Sequence, residues 1–271
     1  MRATCAAGGE TILEAVGLAR SFGGVVALED YSIRLRPGDL VGLIGPNGAG
    51  KTTVFNLLSG VLRPDAGRIL WRGADVTDRP THVIARLGLA RTFQNIRLFP
   101  DLSVIENVMA GLHMRHGGGL LPTLLGLPRH HRAEATIRRR AGETLELAGL
   151  RALGHVRAGD LAYGDQRRVE IARALATEPR VLLLDEPAAG MNPNETQAVV
   201  ELIRRVHEEF QIAVLVVEHD MRLIMNLCRQ IQVLDRGRFL AAGTPEEVQT
   251  DPAVVAAYLG TRRQRAHARD H

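Results

Sequence analysis

The chain has 271 residues, 45% of them hydrophobic and 24% charged. That apolar share excludes a disordered chain, and the length is enough for one large core with a sub-domain. The net charge is +4, but Arg262, Arg263, Arg265, Arg269 and Asp270 supply three of those charges, which leaves little on the body to attract nucleic acid.

Cys5 and Cys228 are the two cysteines. They form neither a disulfide framework nor a metal site, as expected in a reducing compartment. The segment Met1–Arg20 carries Glu10 and Glu14 and has no continuous apolar run, so it does not read as a signal peptide. The longest apolar stretch, Gly117–Pro128, contains Pro122 and is well short of the roughly 20 residues that cross a bilayer. These features predict a soluble cytoplasmic protein. Of the 34 basic residues, 33 are arginine and one, Lys51, is lysine. Arginine-rich coding explains the majority. The exception marks position 51 as a place calling for a compact ammonium rather than a planar fork.

In chain order, Ile12–Leu18 and Tyr31–Leu35 read as strands of an antiparallel edge. Leu40–Ile44 is a short apolar run between Gly38 and Gly45, typical of a buried strand. A helix is expected over Thr52–Ser59, a strand at Ile69–Trp71, a helix at Thr81–Arg86 and a strand at Ala90–Phe93. From Ser103 to Leu150 the pattern turns helical, with breaks at Gly117-Gly118-Gly119, Pro122 and Pro128. Within it, Arg129–Leu150 reads as an amphipathic helix whose Arg138-Arg139-Arg140 face is solvated. A helix Arg167–Thr177 follows, then strand Val181–Asp185. Helix Glu195–Phe210 carries Val199, Leu202, Ile203, Val206 and Phe210 on one stripe. Strand Ile212–Val217, helix Met221–Cys228 and a hairpin Ile231–Asp235/Arg238–Ala242 come next. Thr244 and Pro245 open a last short helix. Alternating strands and helices imply an α/β fold with a largely parallel sheet, an antiparallel edge sub-domain and an inserted helical sub-domain.

Gly45-Pro46-Asn47-Gly48-Ala49-Gly50-Lys51-Thr52 fits the P-loop pattern, after a strand and at the start of a helix. Its glycines allow backbone N–H groups and the helix N-terminus to face phosphates closely. Lys51 would reach the β- and γ-phosphates and Thr52 would offer its hydroxyl to Mg²⁺. Val181–Leu184 deliver Asp185 at a strand's C-terminal end, where ligands sit in open α/β sheets, placing it to hold the metal. Glu186 stands next, placed to orient or deprotonate a water. Gln94, His219 and the Ala162-Tyr163-Gly164-Asp165-Gln166 junction carry little meaning singly. His130-His131 lacks a partner at metal-ligand spacing.

Taken together and in order, from about Ile12 to Gly260, these elements resemble the ATP-binding cassette (ABC) ATPases. The resemblance implies a Walker A motif at Gly45–Thr53, including Thr53, and a glutamine loop at Gln94 that joins Thr52 and Asp185 around Mg²⁺. It implies a signature at Leu161–Asp165, Walker B ending at Asp185, Glu186 as catalytic base, His219 as the switch histidine and Phe22 as the adenine-stacking aromatic. It also implies a cassette dimer in which Tyr163, Gly164 and Asp165 face the nucleotide of a second ATPase subunit. One domain over 12–260 is expected: a core over 12–95 and 181–245, a helical sub-domain over 96–180, helices over 246–260, and a disordered basic tail over 261–271.

The signature departs from Leu-Ser-Gly-Gly-Gln: Ala162 lacks the hydroxyl, and Asn192 stands where the following loop usually has aspartate. These departures and the run after Leu161 resemble the larger ATPase subunit of bacterial branched-chain amino acid importers. ATP, Mg²⁺, two membrane permeases, a periplasmic binding protein acting indirectly, and a position on the inner face of the membrane are then implied. Amide import, lipopolysaccharide export and a soluble role in translation or repair are the alternatives.

Overall fold

The computed structural model describes residues 10–116 and 128–258. Cys5, Gly117–Gly119, Pro122 and the basic tail from Arg262 lie outside the described residues.

Three strands form the centre: β3 (Leu40–Ile44), β7 (Val181–Asp185) and β8 (Ala213–Val217), every residue of which is buried. They run parallel in register, with Leu40 beside Val214 and Leu182 beside Val214 on the other flank. A parallel sheet is covered on both faces, which is why these strands read as continuous apolar runs, broken only where β7 ends in Asp185, rather than alternating. Successive side chains still point to opposite faces, so two separate cores result. Leu40, Ile44, Leu182, Leu184, Val214 and Val216 belong to one, Val41, Leu43, Val181, Leu183, Leu215 and Val217 to the other.

The full sheet has ten strands in the order β5-β4-β1-β2-β10-β9-β3-β8-β7-β6. One end is parallel, closed by β6 (Leu89–Arg91) beside β7. The other is the expected antiparallel part, built from β1 (Leu13–Phe22), β2 (Val25–Leu35), β4 (Ala66–Trp71) and β5 (Ala74–Asp75). Strands β1 and β2 run past their expected limits and meet at Gly23-Gly24, both at positive φ. β9 (Gln230–Asp235) and β10 (Arg238–Gly243) form the expected hairpin and join the two parts. Across the junction the buried Tyr31 of β2 donates its hydroxyl to Gln232 of β9 at 2.7 Å.

Helix α1 (Lys51–Leu58) follows β3, and α2 (Thr81–Leu87) precedes β6. The helical layer comprises α3 (Val104–His116), α4 (Pro128–Leu147) and α5 (Tyr163–Leu175). Val104, Val108 and Leu112, and Ile137, Ala141 and Leu145, each recur at four-residue spacing and face the same core. α3 approaches α5 closely: a Cβ on Gly111 would lie 2.5 Å from the Arg173 carbonyl oxygen.

α6 (Pro193–Phe210) starts two residues earlier than expected, because Asn192 caps it and Glu195 completes a capping box. Its stripe is buried except at Phe210, which is 53% exposed, because the helix ends there and Gln211 turns the chain through a left-handed residue toward β8. α5 also starts early. Tyr163, Gly164 and Asp165 therefore form its first turn rather than a preceding loop. α7 (Met221–Leu227) and α8 (Pro245–Thr250), capped by Thr244, complete the core, and residues 252–258 are helical. Among the described residues no helix is long and apolar enough to cross a membrane.

Tyr31→Phe should lose about 1–2 kcal/mol of stability in urea unfolding, because the Gln232 acceptor is left unpaired at the junction. An unchanged midpoint would show that this bond does not hold the two parts of the sheet together.

Candidate functional site

The loop after β3 is shaped by what surrounds it. Gly45 has φ +153°, and a Cβ there would lie 2.1 Å from the Leu234 carbonyl oxygen. Gly50 has φ +101°, with the Ala27 carbonyl 2.6 Å from such an atom. The β9–β10 turn supports the loop from behind, as Gly237 donates its N–H to the Ala49 carbonyl at 3.0 Å. Pro46 is half-buried, Ala49 is buried, and Asn47 and Gly48 are exposed at the rim. Lys51 opens α1 and is only 7% exposed. Its Nζ donates to the carbonyls of Gly45 at 2.7 Å and Pro46 at 3.0 Å, so the amine closes the loop on itself. Burial pushes its pKa down, while Glu186 and Asp185 oppose that shift. Thr52 is exposed and Thr53 half-buried beside it, in the first turn, where helix N–H groups have no intrahelical partner.

The adjacent parallel strands bring the acidic groups to the same edge. Asp185 ends β7 and its Oδ2 accepts from Arg91 Nη2 at 3.0 Å. Glu186 follows at φ +47°, anchored by its N–H to the Val217 carbonyl at 2.9 Å. Its Oε2 accepts from Gln94 Nε2 at 3.0 Å and lies 3.8 Å from His219 Nδ1. Gln94 and His219 are both exposed. Beneath His219, the buried Glu218 accepts from the backbone N–H of Ala188 at 2.9 Å and of His219 at 3.2 Å. Burial pushes the Glu218 carboxyl above the usual carboxylate range.

Phe22 ends β1 on the β sub-domain, 44% exposed, with the Arg20 guanidinium 5.1 Å from its ring centroid. Tyr163 is exposed at the head of α5, whereas Gly164 is buried. A Cβ on Gly164 would lie 2.8 Å from Glu195 Cγ, so the first turn of α5 packs directly on the start of α6. The Asp165 carboxylate pairs with Arg168 of the same helix.

Residues 28–189 match the ABC transporter family, and residues 240–263 match the branched-chain amino acid ATP-binding cassette transporter family. The high-affinity branched-chain amino acid transport ATP-binding protein LivG of Escherichia coli K12 is 45% identical over 251 residues, 93% of this chain and 98% of LivG. BraF of Pseudomonas aeruginosa, described in the same words, is 44% identical over 249 residues, 92% and 98% of the two chains. The ADP conformation of MJ1267, a cassette of an ABC transporter, superposes with a TM-score of 0.80 at 31% identity, covering 92% of this chain and 99% of that one. The chain belongs to the ABC transporter ATPases. Cassettes of this family bind ATP and couple its hydrolysis to transport.

Within this cassette the structure brings Lys51, Thr52, Asp185, Glu186, Gln94 and His219 to one edge of the sheet. Phe22 stands on the β sub-domain, and Tyr163, Gly164 and Asp165 stand at the head of α5. Three buried charged residues went unmarked in the sequence, Arg167, Glu170 and Glu218, and so did Arg91, whose side chain is only 7% exposed. Arg167 is fully buried and donates to the carbonyls of Phe93 at 2.6 Å and Gln94 at 2.7 Å, and to Glu170 at 2.8 Å. The Phe93–Gln94 segment is thereby tied to α5. Opposite charges at i and i+3 on the apolar side of α5 were the available signal.

Gly45→Ala forces a Cβ into a backbone carbonyl that cannot rotate away. Binding of a fluorescent ATP analogue should weaken at least about tenfold; unchanged affinity would mean the loop tolerates a side chain and is not held as described.

Proposed function

We infer that the chain is the ATP-hydrolysing subunit that drives import of branched-chain or related amino acids, docked on two membrane permeases at the inner face of the membrane. The observation that carries hydrolysis is the convergence of Gln94 and His219 on Glu186, at the same sheet edge as the Lys51 loop. Similarity to LivG and BraF over nearly the full chain, including the match at 240–263, supports the cargo class. A second cassette, identical or different, would complete the site, and a periplasmic binding protein would select the cargo.

The loop N–H groups and Lys51 would hold the β- and γ-phosphates, with Phe22 against the adenine. Mg²⁺ fits the donors present, since the Thr52 hydroxyl, the Asp185 carboxylate and the Gln94 amide all offer hard oxygen. Among the described residues no cluster of three His, Cys, Asp or Glu side chains forms a cage, so phosphate oxygens and water would fill the remaining positions. When bound, the metal would neutralise charge on the β- and γ-phosphate oxygens. Glu186 would take a proton from the attacking water as the γ-phosphoryl group leaves ADP. His219 would hold the Glu186 carboxylate in place, and Glu218 would fix the backbone under both. From the partner cassette, Tyr163, Gly164 and Asp165 would close over the nucleotide. With Asp165 paired to Arg168, the backbone near Gly164 would make the phosphate contacts.

Glu186→Gln should bind ATP with near-normal affinity and lose at least about 100-fold in turnover. Retained hydrolysis would remove Glu186 from the role of base. In proteoliposomes holding the neighbouring permeases and binding protein, the wild type should drive ATP-dependent uptake of labelled leucine or isoleucine. Uptake of amides alone would overturn the cargo assignment.

A further inference from the structure

β6 lies beside β7 with Arg91 opposite Leu183, so Arg91 and Asp185 project to the same face of the sheet. α1 packs on that face and surrounds the guanidinium. Asn56 Oδ1 accepts from Arg91 Nη1 at 2.7 Å, and Ser59 Oγ accepts from the same atom at 3.1 Å. The rings of Phe55 and Phe93 flank it at 5.5 and 5.0 Å. Arg91 Nη2 meets Asp185 Oδ2 at 3.0 Å, with each side chain only 7% exposed.

An isolated carboxylate at this depth is costly, and a guanidinium does not surrender its proton at any working pH. Two acceptors and two ring faces keep Arg91 from swinging away, so Asp185 always carries a neighbouring positive charge. Oδ2 is occupied, and Oδ1 remains for another ligand. Lys51 and Arg91 together balance the charges of Asp185 and Glu186.

We propose that Arg91 is the resident counter-charge of Asp185: a positioning residue that fixes the carboxylate with Oδ1 free, and an electrostatic guard that keeps a bare divalent cation out until phosphates arrive with it. The inference rests on the reading of Asp185 as the metal carboxylate. The physical consequence is selectivity for a metal–nucleotide complex over free metal. Two phosphates bring enough negative charge to outweigh Arg91 and Lys51, whereas Asp185 and Glu186 alone only balance them.

The test is binding of Mn²⁺ without nucleotide to the full chain, read by electron paramagnetic resonance. Arg91→Met should bind bare Mn²⁺ at least about tenfold more tightly than the wild type, and Arg91→Met combined with Asp185→Asn should lose that gain. Should Arg91→Met not fold, Arg91→Gln keeps an amide donor for Asn56 or Asp185 and serves the same arm. Arg91→Lys keeps the charge and should stay near the wild-type value. Equal Mn²⁺ affinity in the neutral variants and the wild type would overturn the proposal, as would a gain that survives Asp185→Asn. The underlying reading has its own readout: Asp185→Asn alone should weaken binding of ATP with Mg²⁺ but not without it. If it does not, Asp185 is not the metal carboxylate, whatever the Arg91 variants show.

Discussion

A parallel sheet buried on both faces can present ionised groups only where its strands end, and that constraint organises this molecule. β3 and β8 carry no charged residue, β7 carries only its last, and the three stop in Ile44, Val217 and Asp185. The chain then turns out of the core into Gly45, Glu186 and Glu218. Lys51, Thr52, Asp185, Glu186, Gln94 and His219 all stand at this one edge. Burial makes each of these charges expensive alone, so each has a partner: Lys51 has two carbonyls, Asp185 has Arg91, and Glu218 has two backbone N–H groups.

The same need for partners ties distant parts of the chain together. Arg167 can be fully buried in α5 because the carbonyls of Phe93 and Gln94 and the carboxylate of Glu170 receive it. The consequence is mechanical, since the Phe93–Gln94 segment and α5 cannot shift independently without baring a charge. The departures from the usual signature and following loop also acquire physical roles. Asn192 spends its side chain capping α6, accepting from the N–H groups of Asn194 and Glu195. Asp165 is neutralised by Arg168, which limits the repulsion that a free carboxylate would direct at a phosphate.

Much of this was legible in the sequence because it is local. Apolar runs named the central strands, the glycine spacing named the loop, and strand ends placed Asp185 and Glu186 at its side. The start of α5 was not legible, since Ala162 offers no capping side chain and hides the true first turn. Phe210 fitted the helical period but stands at the helix end, where the chain leaves the core. Arg91 and Glu218 escaped notice for a different reason: their meaning lies in partners 94 and 30 residues away, which no periodicity reveals.

Lys51 is the one lysine in the chain, and its compact ammonium fits between two loop carbonyls where a planar guanidinium is too broad. Titration calorimetry of ATP on Lys51→Arg tests this directly, with thermal melting to confirm that the variant is folded. The charge is preserved and the shape is not, so ATP affinity should fall by well over about tenfold. Wild-type affinity in a folded variant would contradict the claim that the loop is built around that amine.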